Sequence, residues 1–257
     1  MPGQERSFRA EAVVLNHWDY GEADRMVDLY TLELGKVRTI AKGVRKAHSR
    51  KAGHLEPFTR VSLLLARGRD LLIITQAETI NAYLPLRDDL LLVVHASYVI
   101  ELLDRFTFPE EENRAIYRLL TNTLPRLTEN ADIPLILRYY ELNLLKLTGF
   151  RPQLFNCVQC RAEIKPQDQY FSSEQGGVLC PNCGPGIARS RPVSMQALKY
   201  LRYLQRSTYA EARKVKPAEQ VHREMEMLMQ DYITYLLERR LNTPAFLRKV
   251  QLQGNQS

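Results

Sequence analysis

Residues 36–58, KVRTIAKGVRKAHSRKAGHLEPF, combine a short strand pattern with a long basic segment. The stretch holds a single acid, Glu56, against seven cations. The seven cations are Lys36, Arg38, Lys42, Arg45, Lys46, Arg50 and Lys51. Their surplus nearly equals the formal net charge of the whole chain, which is +7, so the positive charge is concentrated here. Concentrated charge predicts an anionic partner.

The order of residues within this stretch predicts a basic strand that runs into a basic loop. Side chains alternate across a strand, so Lys36 and Arg38 share one face of residues 36–41. We expect Gly43, Ser49 and Gly53 to keep the loop flexible, while the apolar residues at 55–58 anchor its end. Such a loop can follow a phosphate backbone, and all seven cations are candidate nucleic-acid-binding residues. The alternative is a solvated loop that only keeps the protein soluble.

The first 80 residues predict five strands. Alternating or β-branched segments occur at 10–16, 26–31, 37–41, 61–66 and 71–76, and turn residues separate them. Five strands with a long break after the third favour an OB-type barrel over residues 1–80, although an SH3-like barrel fits the same pattern.

Beyond Pro85 the apolar spacing becomes helical. Helices are predicted at 86–106, about 110–124, 134–149, 194–206 and 217–241. They predict a helical domain built from residues 81–150 and 190–250, followed by a disordered tail at 251–257.

Four cysteines fall in two CxxC pairs separated by 19 residues, and they are Cys157, Cys160, Cys180 and Cys183. This spacing is typical of a zinc ribbon or knuckle, because each two-residue gap lets both thiolates of a turn reach one tetrahedral ion. An all-thiolate site leaves no coordination position for water, so the predicted zinc is structural. The fold class is therefore α+β and multidomain, with a four-cysteine zinc module at residues 151–189 inserted into the helical domain. A redox-active thiol pair would need a βαβ context that the sequence lacks.

Two patterns invite an enzymatic interpretation, and neither is sufficient. Glu22 and Asp24 could form a carboxylate pair, but we expect Asp24 to hydrogen-bond turn amides beside Gly21. His222 and Glu224 match the H-x-E of zinc deaminases, yet they follow the cysteines instead of preceding them. The chain is predicted not to be an enzyme.

A second basic surface is predicted on the helix at 194–206, where Lys199, Arg202 and Arg206 share a face. It either extends a DNA track or is an ordinary solvated face. The sequence also has no apolar run long enough to cross a bilayer and no apolar signal segment, which predicts a cytoplasmic protein without a membrane partner.

Three segments carry a resemblance to a known family: YGEAD at 20–24, LGKVRTIAKGVRK at 34–46 and HLEPF at 54–58. In their order and spacing they resemble the N-terminal domain of the bacterial RecO recombination mediators, and the resemblance continues through the cysteine cluster. It implies an OB domain, a helical domain with a zinc module, binding and annealing of single-stranded DNA near the nucleoid, and partnership with RecR and single-strand-binding protein. A structural adaptor with weak nucleic-acid contact and an RNA-binding OB protein remain alternatives. Binding to duplex DNA and the oligomeric state are left open.

Overall fold

Five antiparallel and parallel strand pairings close the N-terminal sheet into a barrel. A computed structural model of the protein describes residues 7–129 and 132–237. The barrel strands are β1 (Ser7–Tyr20), β2 (Asp24–Thr31), β3 (Gly35–Ala41), β4 (Arg60–Arg67) and β5 (Leu72–Asn81). Their order around the barrel is β1-β2-β3-β5-β4, with β3 and β5 parallel. Strands β4-β1-β2-β3 form a Greek key that β5 closes, which is the OB arrangement and decides against the SH3-like alternative.

The pairing between β3 and β5 is short, and contacts made by the basic loop extend it. Only Thr39 and Ile40 of β3 pair with β5. Beyond them, the Nζ atom of Lys51 donates to the carbonyl oxygens of Lys42 and Ile74, both at 3.0 Å. The side chain of Leu55, fully buried, packs into the barrel core. The second half of the loop is thus a packed part of the barrel, and the buried Leu55 agrees with the apolar anchor predicted at residues 55–58.

Three helices follow the barrel: α1 (Pro85–Asp88), α2 (Leu90–Phe106) and α3 (Arg114–Arg126). The predicted single helix at 86–106 is interrupted because Asp89 is extended and its carboxylate accepts from the backbone N–H groups of Leu91 and Leu92. Asn113 caps α3 in the same way, so that helix starts later than predicted. The carboxylate of Glu11 in β1 accepts from the hydroxyl of Tyr117 in α3 at 2.7 Å, which joins barrel and helix.

The second half of the described chain combines helices with a small sheet. Its elements are α4 (Ile133–Leu147), β6 (Gln169–Ser172), β7 (Gly177–Leu179), β8 (Ser190–Val193), α5 (Met195–Arg206), α6 (Tyr209–Ala212) and α7 (Glu219–Leu237). The sheet order is β7-β6-β8, and α4, α5 and α7 contact one another. The predicted N-cap Ser194 is confirmed, since its hydroxyl accepts from the N–H of Ala197. The end of the last predicted helix, near residue 241, and the predicted tail at 251–257 lie outside the described residues.

The chain divides into two compact units, Met1–Thr128 and Glu129–Ser257. The fold class predicted from sequence is confirmed: an OB-type β domain, helices and a clustered set of four cysteines. The finer boundaries at 80, 150 and 189 stay predictions. No helix within residues 7–129 or 132–237 has both the length and the apolar character needed to span a bilayer.

Candidate nucleic-acid interface and metal centre

The turn after β1 holds the start of the basic loop. Gly21 has φ +58°, a left-handed conformation that glycine adopts without strain. The carboxylate of Asp24 accepts from the backbone N–H of Gly43 at 2.7 Å, and the N–H of Arg45 donates to the carbonyl of Ala23 at 2.9 Å. The predicted structural role of Asp24 is confirmed. Its carboxylate positions a loop and is not held as half of a catalytic pair.

Two of the seven predicted cations have structural partners. Lys36 donates to the backbone carbonyl of Asp104 at 2.7 Å and to its carboxylate at 3.0 Å. Lys51 donates to the carbonyl oxygens of Lys42 and Ile74, and burial lowers the pKa of its ammonium group. Because these ammonium groups already have protein partners, a phosphate would have to displace those partners before binding them.

Two arginines of the stretch are held by aspartates. Arg38 donates to both carboxylate oxygens of Asp28, at 2.8 and 3.0 Å, and this hydrogen bonding raises the pKa of its guanidinium. The same guanidinium lies 4.8 Å from the ring centroid of Trp18. Arg45 pairs with Asp19 at 3.2 Å. Each arginine stays accessible, but its charge is largely compensated.

The remaining three cations, Lys42, Lys46 and Arg50, are exposed. Within the part of the barrel unit that the structure describes, none of the three has an ion pair. All three lie in the first half of the loop: Lys42 directly precedes the attachment point at Gly43, and Lys46 and Arg50 lie between that point and the next one at Lys51. Uncompensated exposed cations are the groups that a polyanion binds most readily, so the positive potential of the stretch is concentrated on these three residues.

A cleft of about 330 Å³ beside β3 brings further cations into the region. Its lining includes Lys36 and Arg38 of β3 together with Arg67 and Arg69 from the turn between β4 and β5. Both turn arginines are exposed, and the sequence had suggested only a turn there. The signal that could have found them is the OB fold itself, whose loop between strands 4 and 5 flanks the ligand face.

The four cysteines converge in the second unit. All four Sγ atoms lie within 4.8 Å of one another, and the Sγ atoms of Cys160 and Cys180 are 3.8 Å apart. A tetrahedral ion with sulfur at 2.3 Å requires sulfur atoms about 3.8 Å apart. The thiols are therefore close enough to bind one metal ion with no ligand from elsewhere.

Each CxxC pair sits in a tight turn that aims its sulfurs inward. The N–H of Arg161 donates to the carbonyl of Cys157, and the N–H of Gly184 donates to that of Cys180, both at 2.9 Å. A Cβ atom at Gly184 would lie 2.3 Å from the ring of Tyr170, so glycine is required where the turn packs on β6. The N–H of Cys180 also points at the Cys157 sulfur, at 3.4 Å.

The acidities of the thiols fit a cation at this position. Burial would raise the pKa of the Cys157 thiol, but backbone N–H groups outweigh it and lower that pKa to about 6. Hydrogen bonding to the other cysteines, that of Cys180 above all, raises the pKa of Cys183 to about 12. The negative charge of one thiolate thus opposes ionisation of the neighbouring thiols. A divalent cation that binds all four sulfur atoms would offset this repulsion. The donor set, four sulfurs in two knuckles, matches structural zinc.

The second predicted basic surface lines a large groove. Arg202 donates from Nε to the carbonyl of Leu154 at 2.7 Å, and burial lowers the pKa of its guanidinium. Arg206 lies 3.5 Å from the ring centroid of Phe155, and Lys199 is exposed. A cavity of about 920 Å³ lies between them, and aromatic, apolar and basic side chains share its lining. They include Lys165, Met195, Tyr200 and Tyr203.

Both parts of the chain match family models. Residues 6–83 match the one described as "Recombination protein O N terminal", and residues 87–245 match "Recombination protein O C terminal". The chain belongs to the RecO family. The resemblance carried by the three N-terminal segments is therefore confirmed, and with it a place in DNA repair and recombination.

Curated relatives extend over nearly the whole chain. A "DNA repair protein RecO" of Roseiflexus sp. (strain RS-1) is 40% identical over 96% of this chain and 87% of its own length. A protein of the same name from Dehalococcoides mccartyi (strain CBDB1) is 34% identical, covering 95% of this chain and 96% of itself. One from Desulforamulus reducens is also 34% identical, over 95% and 94%.

In this RecO chain the H-x-E pattern has structural partners. His222 Nε2 pairs with the carboxylate of Asp132, the residue that caps α4, at 3.0 Å. Glu224 accepts from both the N–H and the hydroxyl of Ser194 at 2.6 Å, which holds the start of α5. The two residues thus contact the starts of α4 and α5.

Proposed function

We propose that this RecO family protein is a non-enzymatic recombination mediator that binds single-stranded DNA and anneals complementary strands. The observation that carries the proposal is the exposed set Lys42, Lys46 and Arg50, which have no ion pair among the described residues, on a loop attached at both ends to an OB barrel. Because the loop is attached to the barrel, its cations are already held in place, and phosphate binding costs little conformational entropy. Arg45 and Lys51 hold this loop through backbone carbonyl groups, whereas Lys36 and Arg38 lie on the neighbouring strand and add less to the local potential, because Asp104 and Asp28 compensate their charges.

Annealing follows from the same chemistry. Two unpaired strands repel each other through their phosphates, and cations that neutralise several phosphates lower that repulsion while the bases stay free to pair. Arg67 and Arg69, which line the same cleft as Arg38, would add phosphate contacts. Strand pairing therefore needs no bond to be made or broken by the protein.

The test compares binding of labelled single-stranded DNA, the equivalent RNA and duplex DNA at several salt concentrations, followed by an annealing assay with complementary strands. We expect tight, salt-dependent binding to single-stranded DNA and faster annealing at low salt. Tighter binding of RNA would favour the RNA-binding alternative. Weak binding that barely responds to salt would favour the adaptor.

We infer that the four-cysteine centre holds one structural zinc ion, with Cys157, Cys160, Cys180 and Cys183 as its ligands. Four thiolates at tetrahedral spacing support this inference. The ion would supply no chemistry to the DNA, and its role would be to fold the small sheet between α4 and α5.

A second candidate function is that of an adaptor, and the groove beside α5 favours it. Its aromatic and apolar lining, combined with Lys165, Lys199 and Arg206, is complementary to an acidic protein segment that also carries apolar side chains. We propose RecR and single-strand-binding protein as partners from the family resemblance, and a cytoplasmic location with the nucleoid DNA. Titration of each purified partner into the wild type and into the double variant K199E/R206E tests the groove. The variant should bind the groove's partner more weakly and keep its loop-dependent DNA affinity.

A further inference from the structure

One large aromatic side chain on the barrel is both exposed and fixed in place. Trp18 lies near the end of β1, on the strand face shared by Asn16 and Tyr20. It is 37% exposed, and Tyr20 is 56% exposed. Large aromatic side chains contribute most to stability when they are buried, so a partly exposed tryptophan on a ligand-binding fold calls for a functional explanation.

The neighbours of Trp18 hold its ring. The Arg38 guanidinium lies 4.8 Å from the ring centroid, as in a cation–π contact. Asp28 in turn fixes that guanidinium with two hydrogen bonds, at 2.8 and 3.0 Å. Asp28 and Arg38 face each other in the pairing of β2 with β3, so the strands themselves set the geometry. The indole is held before any ligand arrives.

This arrangement gives Arg38 a role other than phosphate binding. Its charge is compensated by Asp28, whereas Lys42, Lys46 and Arg50 have no acidic partner in residues 7–129 or 132–237. A planar guanidinium that is bound on both oxygens of a carboxylate and stacked on an indole is a support for that indole. Arg38 also lines the cleft with Arg67 and Arg69, whose exposed guanidinium groups can bind the phosphates that flank a base.

We propose that Trp18 is a stacking platform for an unpaired nucleobase and that Arg38 is a positioning residue which holds the indole through Asp28. The proposal rests on the proposed binding of single-stranded DNA and assigns the base contact of that site. Every base presents a π-face, so the contact is indifferent to sequence. Paired bases in a duplex are already stacked on their neighbours, so the platform selects unpaired strands.

The composition of the chain supplies a direct reporter. Trp18 is the single tryptophan, so the intrinsic tryptophan fluorescence of the full chain reports this residue alone. The probes are an oligodeoxythymidylate and an abasic oligomer of the same length and charge, each also carrying a dye for anisotropy. We expect the oligodeoxythymidylate to quench the fluorescence at saturation. The abasic oligomer should bind, more weakly, and leave the fluorescence unchanged.

Variants separate the platform from its support. W18A should lower affinity for the oligodeoxythymidylate by about 5- to 150-fold, since stacking of one base is worth ~1–3 kcal/mol, and should lower affinity for the abasic oligomer less than about twofold. W18F should recover most of the affinity. D28N should weaken the quenching, and because it also releases the charge of Arg38, it should leave the salt dependence of binding at least as steep as in the wild type, whereas a loss of phosphate contacts would make it shallower.

The outcomes distinguish this proposal from the proposed function. Binding of both oligomers with equal affinity and no quenching would overturn the stacking platform while the single-strand binding stands. If neither oligomer bound, both proposals would be overturned. The quenching measurement uses the wild-type protein, so it decides the matter even if a variant does not fold.

Discussion

Removing the three uncompensated cations of the loop should weaken DNA binding in a measurable, salt-dependent way. In the triple variant K42Q/K46Q/R50Q, up to three phosphate contacts are lost. At about 0.7 per contact on single strands, the slope of log affinity against log salt should become shallower by about 2.1. Over a fourfold rise in salt, the wild type should then lose about 20-fold more affinity than the variant. Adding changes at Arg38 or Arg45 should matter less, because each arginine already neutralises an aspartate.

Anisotropy titrations of a labelled single strand at four or more salt concentrations give the slope directly. The matched control is R213Q/K214Q/K216Q, which removes the same charge from an exposed turn of the second unit. The control should keep the wild-type slope, and both variants should melt within about 3 °C of the wild type, since exposed side chains contribute little to stability. An unchanged slope in the loop variant, or an equal loss in both, would refute the assignment of the interface to this loop.

Three further changes probe the scaffold. C160S should release the metal measured by elemental analysis and lower the melting temperature of the second unit; a metal-free variant with wild-type melting would contradict a structural zinc. G35A should lower the free energy of unfolding, measured by chemical denaturation, by more than about 2 kcal/mol, because the added Cβ would lie 1.9 Å from the carbonyl oxygen of Glu111. The control is G21A, at a similar positive φ but in open space, which should lower it by only about 1 kcal/mol. Burial raises the pKa of Tyr232 to about 12, so the unfolded chain ionises this tyrosine from about pH 10 while the folded chain keeps it neutral. Its contribution is therefore complete below pH 10 and lost as the pH rises toward 12, and Y232F should flatten that loss in urea titrations; an unaltered alkaline profile would refute the reasoning.

Local patterns in the sequence predicted most of the fold. Alternation and turn residues predicted the five strands, and the two CxxC pairs predicted the cluster of thiols that the structure brings together. These signals depend on residues close together along the chain. The parallel joint between β3 and β5 depends on residues more than 30 positions apart, so periodicity alone could not choose between the OB and SH3-like barrels.

The candidate interface was less predictable, because a count of charges does not show which of them are compensated. Lys36 finds its partner at Asp104, and Arg38 finds Asp28 only through the register of β2 and β3. From the sequence, the seven cations looked equivalent. In the structure, four of them have hydrogen-bond or ion-pair partners, and the other three have no ion pair among the described residues. Trp18 was missed for a related reason: the predicted strand ended at residue 16, and nothing near Trp18 in the sequence indicated that its ring would lie exposed beside the guanidinium of Arg38.

The short pairing between β3 and β5 has a consequence for native-state hydrogen exchange. Two residue pairs and the Lys51 ammonium group hold β3 and β5 together, so the least costly opening of the barrel separates these strands and frees the loop at once. A DNA strand that binds only the attached loop must suppress this opening by mass action. Amides along β5 should then exchange more slowly on DNA binding, even where no nucleotide touches them. The affinity of the loop for DNA thus includes the free energy of keeping the barrel closed.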